Sequence, residues 1–208
     1  MKRAIRTLLL LVWPLVVLAA CTSGNRLTIS GEPARPAQAP QGSTGGPQVA
    51  VSDFEYSAPE AGVVGRDFDR VRPIVWDGKP GKSMADLVAG VLAGNGIAVV
   101  RQAADGPALD DVPVRISGQV RRFEVNARRT GGMSVVTEAT VSISVTAAGG
   151  SLPASWESTV SSSTSLKDLF VTPADARDAL FSSAKAAAEE AGRRLLEAGV
   201  VSPPSSGK

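Results

Sequence analysis

Only one residue of this chain has both the type and the setting for covalent chemistry. Cys21 is the single cysteine and it ends an apolar run, LLLLVWPLVVLAAC, while histidine is absent from all 208 residues. Imidazole is the commonest general base near neutral pH and the commonest transition-metal ligand. Its absence, with the one thiol placed at the end of an apolar segment, excludes Ser-His-Asp triads, Cys-His pairs and zinc sites. Carboxylate pairs, a Ser-Lys dyad or an oxygen-ligand calcium site are left in principle, and no spacing argues for them. The run SSSTS at 161–165 has no nucleophile-elbow pattern. The glycines of GNG at 94–96 follow a helical pattern instead of preceding one, and TGG at 130–132 falls in a turn, so neither forms a phosphate loop. The chain is expected to be non-enzymatic, with no cofactor and no metal.

The chemistry of Cys21 is set by what precedes it. Lys2, Arg3 and Arg6 give a positive start, and Leu8 to Ala20 is apolar and shorter than the roughly 20 residues a spanning helix needs. The ending Leu-Ala-Ala-Cys resembles the bacterial lipobox, in which the thiol is acylated and the cysteine becomes the mature N-terminus. The alternatives are an ordinary cleaved signal with an incidental cysteine, or an uncleaved anchor. In lipobox proteins Thr22, in place of an aspartate, implies onward export, so the resemblance places the chain on the periplasmic face of the outer membrane, attached through its acyl chains.

Loss of Lys2, Arg3 and Arg6 with the leader leaves 19 basic residues against 20 acidic ones, a formal charge of −1. A nucleic-acid partner calls for a strongly basic domain or stripe, and none is expected. Arg121, Arg122, Arg128 and Arg129 nevertheless flank one hairpin, where they either meet an anionic partner such as lipid headgroups or a glycan, or form a solvated tip. Trp76, with Phe68, is either an exposed aromatic contact for another envelope protein or a cover for the open edge of a sheet.

These residues need elements to position them. After the leader at 1–20, residues 21–47 read as the lipidated cysteine and a flexible linker rich in Gly, Pro, Ser and Thr. Such a linker spans about 25–30 Å as a coil, and up to about 80 Å if drawn out, which lets a domain leave the bilayer surface. A single domain is expected over 48–199, with a frayed tail at 200–208.

Within that domain, QVAVSDF alternates like a strand, and the long connection Glu55 to Lys82 holds VRPIVW as a short edge strand. Met84, Leu87, Val88, Val91 and Leu92 form one helical stripe, with Ser83 as N-cap and Asp86 at the third position. The segment IAVVR then returns as a strand. In PVRISGQVRRFEVNA the apolar parity shifts between Val120 and Phe123, which places a bulge near Arg121 and Arg122. SVVTEATVSISVTA and ASWESTVSSS complete an antiparallel meander with one wet face. Last, Thr172, Pro173 and Asp175 open a long helix with a capping box, and its stripe of Ala176, Leu180, Ala184, Ala187, Ala188, Ala191, Leu195 and Leu196 is small enough to sit close on a sheet.

The stretches VAVSDF, SMADLVAGVLAGNGIAVV, VPVRISGQVRRFEV, TEATVSISVTA and PADARDALFSSAKAAAEEAGRRLLE, in this order behind a lipobox, resemble the YajG-like outer-membrane lipoproteins. More distantly they are similar to the periplasmic domains of the LpoB and CsgG type and of auxiliary lipoproteins of lipid-transport ABC systems. The resemblance implies an α+β domain, a mainly antiparallel sheet with two helices packed on one face, that binds or scaffolds in the envelope. An accessory role in lipid or glycan trafficking, with an amphiphilic ligand, is the alternative.

Overall fold

The computed structural model of the protein describes residues 26–33, 48–58, 60, 62–67, 72–102, 112–150, 152 and 154–202. Cys21, the expected leader at 1–20 and Phe68 lie outside them. The strands are β1 (Leu27–Ile29), β2 (Gln48–Ser52), β3 (Glu55–Tyr56), β4 (Val63–Asp67), β5 (Arg72–Trp76), β6 (Ala98–Gln102), β7 (Val114–Arg129), β8 (Val135–Gly149) and β9 (Trp156–Asp168). The helices are α1 (Pro80–Gly94) and α2 (Pro173–Glu197). They form the expected α+β fold, with a mixed sheet of nine described strands whose longest pairings, β7 with β8 and β8 with β9, are antiparallel.

The long strand β7 organises everything else. Along one side it pairs with β8 from Val114 to Arg129. Its other side is shared in succession by β2 near Ile116, β3 near Val120 and β4 near Val125, all parallel. The sheet therefore forks: β6 extends it beyond β2, while β5 and then β1 extend it beyond β4. The expected bulge is present, with the β7–β8 register shifting between Val120 and Arg122. Val114, Ile116 and Val120 before it, and Phe123, Val125 and Ala127 after it, are all buried. One extra residue thus keeps both halves of a sixteen-residue strand facing the same core.

Both helices cover that face. The cap of α2 is as the residues dictate: the Asp175 backbone N–H donates to Thr172 Oγ1 at 3.1 Å, and the Thr172 N–H donates to Asp175 Oδ2 at 3.1 Å. The stripe from Ala176 to Leu195 is buried, with Leu196 packed at its margin. Gly192 lets α2 approach α1, because a Cβ there would lie 2.4 Å from Val91 Cγ1.

Five expectations are corrected. Helix α1 begins at Pro80, ahead of Ser83, because proline fits the first helical turn and has no N–H to orphan. Ser83 is buried inside that helix, and Asp86 binds Lys82 and Arg101 instead of capping. The linker expected over 21–47 is interrupted: Leu27 and Ile29 are buried in a strand parallel to β5, so the domain begins before residue 48. The strand at 72–76 is consequently internal, lying between β4 and β1. The tail expected to fray from residue 200 contributes Val200 and Val201 to the core, with the Val200 N–H donating to Leu195 O at 3.1 Å.

Candidate functional site

The bulge does more than reset a face. The last β3 pairing on β7 is at Val120 and the first β4 pairing is at Val125, so Arg121–Glu124 face a break in the sheet on that side. A cleft of about 730 Å³ opens there, lined by Tyr56, Glu60, Arg66, Arg121, Arg122 and Arg128, with Val63, Val64 and Phe123 also at its wall. Gly65 brings β4 in closely: a Cβ at this position would fall 1.6 Å from Val125 O, so only glycine lets the strands meet at the end of the cleft.

Four guanidinium groups and two carboxylates line the cleft. Arg66 lies 3.6 Å from Glu60, Arg122 lies 3.5 Å from Glu124, and Arg128 lies 3.9 Å from Glu138 outside the cleft. These pairs are long and solvated, a class that contributes about 0–1 kcal/mol, so an anion of better geometry can replace them. Arg121 Nε donates to Ser144 Oγ at 3.2 Å, and Ser144 in turn shares a hydrogen bond with Thr159 Oγ1 at 3.0 Å. That hydroxyl pair aims Arg121 along the open face of the meander. The Tyr56 hydroxyl is held above its usual pKa, first by burial and then by the charge of Glu124, so at neutral pH it remains a neutral donor.

The structure therefore gathers Arg121, Arg122 and Arg128 at one cleft, while Arg129 stands at the exposed end of the strand, outside its lining. Trp76 is not a contact residue. It is 1% exposed, stacks on Phe123 at 5.2 Å between ring centroids, meets Phe181 edge-on at 5.7 Å, and donates from Nε1 to Gly31 O at 2.9 Å. An indole both apolar and able to donate suits a core position beside the β1 backbone. Arg66, Glu60 and Tyr56 were not legible as site residues, because they reach the cleft only through the placement of β3 and β4.

A second charged group is structural. Arg101 on β6 donates from Nε to Asp86 Oδ1 at 2.8 Å, from Nη2 to Asp53 Oδ1 at 2.5 Å and from Nη1 to the Val51 carbonyl, which ties β6 to α1 and to the end of β2. Burial pushes the Asp86 carboxyl up, but hydrogen bonds and charge from Lys82 and Arg101 outweigh it and leave the pKa below its ordinary value. Among the described residues no group of three or more carboxylate or thiol ligands is placed to hold a metal ion, and no helix is long and apolar enough to cross a membrane.

Fold and site together define an α+β domain with a basic cleft beside its longest strand. No protein-family model and no curated protein matches the chain. Among solved structures, a Xanthomonas campestris protein of family DUF330 shares the fold, with a TM-score of 0.50 and 13% identity over 85% of this chain and 95% of that one. More distant are PelC from Paraburkholderia phytofirmans, described as a dodecamer (TM-score 0.41, 20% identity, 76% of this chain and 88% of that one), and a minor lipoprotein from Acinetobacter baumannii (TM-score 0.38, 12% identity, 76% and 94%).

Proposed function

We propose that the protein is a lipid-anchored envelope lipoprotein, YajG-like, on the periplasmic face of the outer membrane, and that it acts by binding an anionic segment of another envelope component. The observation that carries the binding reading is the cleft at the β7 bulge, where Arg66, Arg121, Arg122 and Arg128 outnumber Glu60 and Glu124. The anchor reading is supported by the Leu-Ala-Ala-Cys ending of a short apolar run. A chain without histidine and with its one thiol acylated suits a binder better than an enzyme. Valines and a phenylalanine among the arginines also favour a second reading, an amphiphile held by its anionic group.

The experiment is photo-crosslinking in intact envelopes from a probe at Ser57, on the rim of the cleft, compared with the same probe in an Arg121→Glu, Arg122→Glu chain. Both arginines are exposed, so the fold should persist. A discrete protein adduct that disappears in the charge-reversed chain supports the first reading. A bound lipid in native mass spectra, lost in the same variant, supports the second. Adducts indifferent to the reversal remove the cleft as the site. The anchor is tested separately: palmitate incorporated equally into a Cys21→Ser chain would show that Cys21 is not the acylated residue.

A further inference from the structure

The large apolar side chains left exposed among the described residues are not scattered. Met133 is 82% exposed, Phe170 72% and Leu169 54%, with Leu166 beside them, and Val100 on the edge strand β6 is the one other case. Met133 sits in the β7–β8 turn, closed by the Thr130 N–H donating to Ser134 O at 3.0 Å. Leu169 and Phe170 follow the last residue of β9. Since Arg129 pairs with Val135 and Val135 with Asp168, the turn and the β9–α2 connection emerge side by side from one end of the sheet.

The start of the domain lies at the same end. Strand β4 is parallel to β7 and antiparallel to β5, and β1 is parallel to β5. Leu27, Ile74, Gly65 and Val125 thus form one row across the sheet, and β1 runs away from the end that carries Met133 and Phe170. Leu27 lies six residue steps from Cys21, a reach of at most about 20–22 Å. The same number of steps carries β7 from Val125 to the turn at Gly131. An acyl chain on Cys21 therefore lets the bilayer reach the end of the sheet that carries this rim. Five strand spacings separate β9 from β1 here, only about 24 Å.

We propose that this rim, formed by Met133, Leu169 and Phe170 with Leu166, is seated in the surface of the bilayer that carries the acyl anchor. The proposal rests on the acylation of Cys21. Chain reach supplies the reason for choosing a bilayer over another protein, because β1 starts at the end of the sheet that carries the rim and its short tether brings a Cys21 anchor within reach of that end. Arg128, Arg129 and Lys167 stand just behind the apolar residues against Glu138 and Asp168, so cationic side chains can lie along the headgroups while the apolar ones enter them. With three cations against two carboxylates, apolar contact and not charge is the main attraction, and added salt should change it little.

The test uses the acylated full chain reconstituted in phosphatidylcholine–phosphatidylglycerol vesicles. Acylation leaves no other thiol, so single cysteines at Met133, at Phe170 and, as a control at the far end of α2, at Glu197 can each carry an environment-sensitive fluorophore. The expected result is blue-shifted emission at 133 and 170, quenched by nitroxide lipids labelled near the headgroup boundary more than by those labelled at the chain ends, as for elements buried about 5–10 Å. The label at 197 should behave as in water. Floating vesicles with water-like labels at 133 and 170 overturn the rim and leave the anchor standing. A blue shift without lipid quenching also overturns it and assigns the rim to a protein partner. If the chain does not float with the vesicles at all, the anchor is wrong and the rim proposal falls with it.

Discussion

At the scale of single residues, charge and position decide roles that residue type leaves open. Asp86 is spaced like a helix-capping residue, yet Lys82 and Arg101 claim it, at 2.7 and 2.8 Å, so it fastens β6 to α1. Its carboxyl is held below the ordinary value in the folded chain. Such a group contributes stability that is complete above the unfolded pKa of about 3.9 and is lost as pH falls through the folded pKa. Asp86→Asn should therefore lower the melting temperature at pH 7, with the difference from the parent shrinking below about pH 4. Thermal melts from pH 7 to pH 2.5 check it, and a difference that is constant across the range would assign the loss to packing. Trp76 teaches the same lesson, since its type suits an interface and its hydrogen bond to Gly31 O commits it to the core.

At the scale of elements, the terminal helix was the most legible part of the chain, and its energetics follow from burial. Leu180 is fully buried against the sheet. Leu180→Asp combines lost packing with a desolvated charge and should cost at least about 3 kcal/mol. On the polar side of the helix, hydrogen bonds from Arg193 and then Arg194 hold the Glu190 carboxyl down to about 2, and Arg194 also donates to Ser158 Oγ and Thr159 O on β9, so Glu190 takes part in the docking network. Glu189, exposed and 3.7 Å from Lys185, serves as the control: Glu189→Ala should change stability by no more than about 0.5 kcal/mol. Thermal melts separate the two. The contact between α1 and α2 gives an independent check: Gly192→Val drives a side chain into Val91 and should destabilise by about 1–3 kcal/mol, and adding Val91→Ala should recover part of that in denaturant titrations.

At the scale of the whole molecule, the placement of β1 shortens the tether that the proposed acyl anchor would leave to the domain. A linker running to residue 47 would let the domain roam, whereas a strand at Leu27–Ile29 ties the sheet to within a few residues of Cys21. Amide exchange should therefore show Leu27–Ile29 protected alongside β5. Deleting residues 22–33 should expose the β5 edge, open the core beside Trp76 and promote association between chains, measured by light scattering. Exchange at 27–29 as fast as in a peptide would restore the free linker and remove the reach argument for the rim.

Elements that follow a local rule were readable in advance. The capping box of α2, the one-faced stripe behind it, the alternation of β8 and the parity shift at Arg121 and Arg122 each depend on residues a few positions apart, and each is where the sequence puts it. That the chain has no imidazole to offer likewise needs nothing beyond composition. Tertiary structure alone decided that Leu27–Ile29 is a strand, since three residues have too short a period to reveal and gain their pairing only from β5, 47 positions away. It also decided the cleft and the rim. The cleft needs β3 and β4 to part along one side of β7, and the rim needs the ends of β7, β8 and β9 to meet at the end where β1 begins. Pairings between distant segments are fixed by the burial of the whole sheet, and no short window of the chain carries that information.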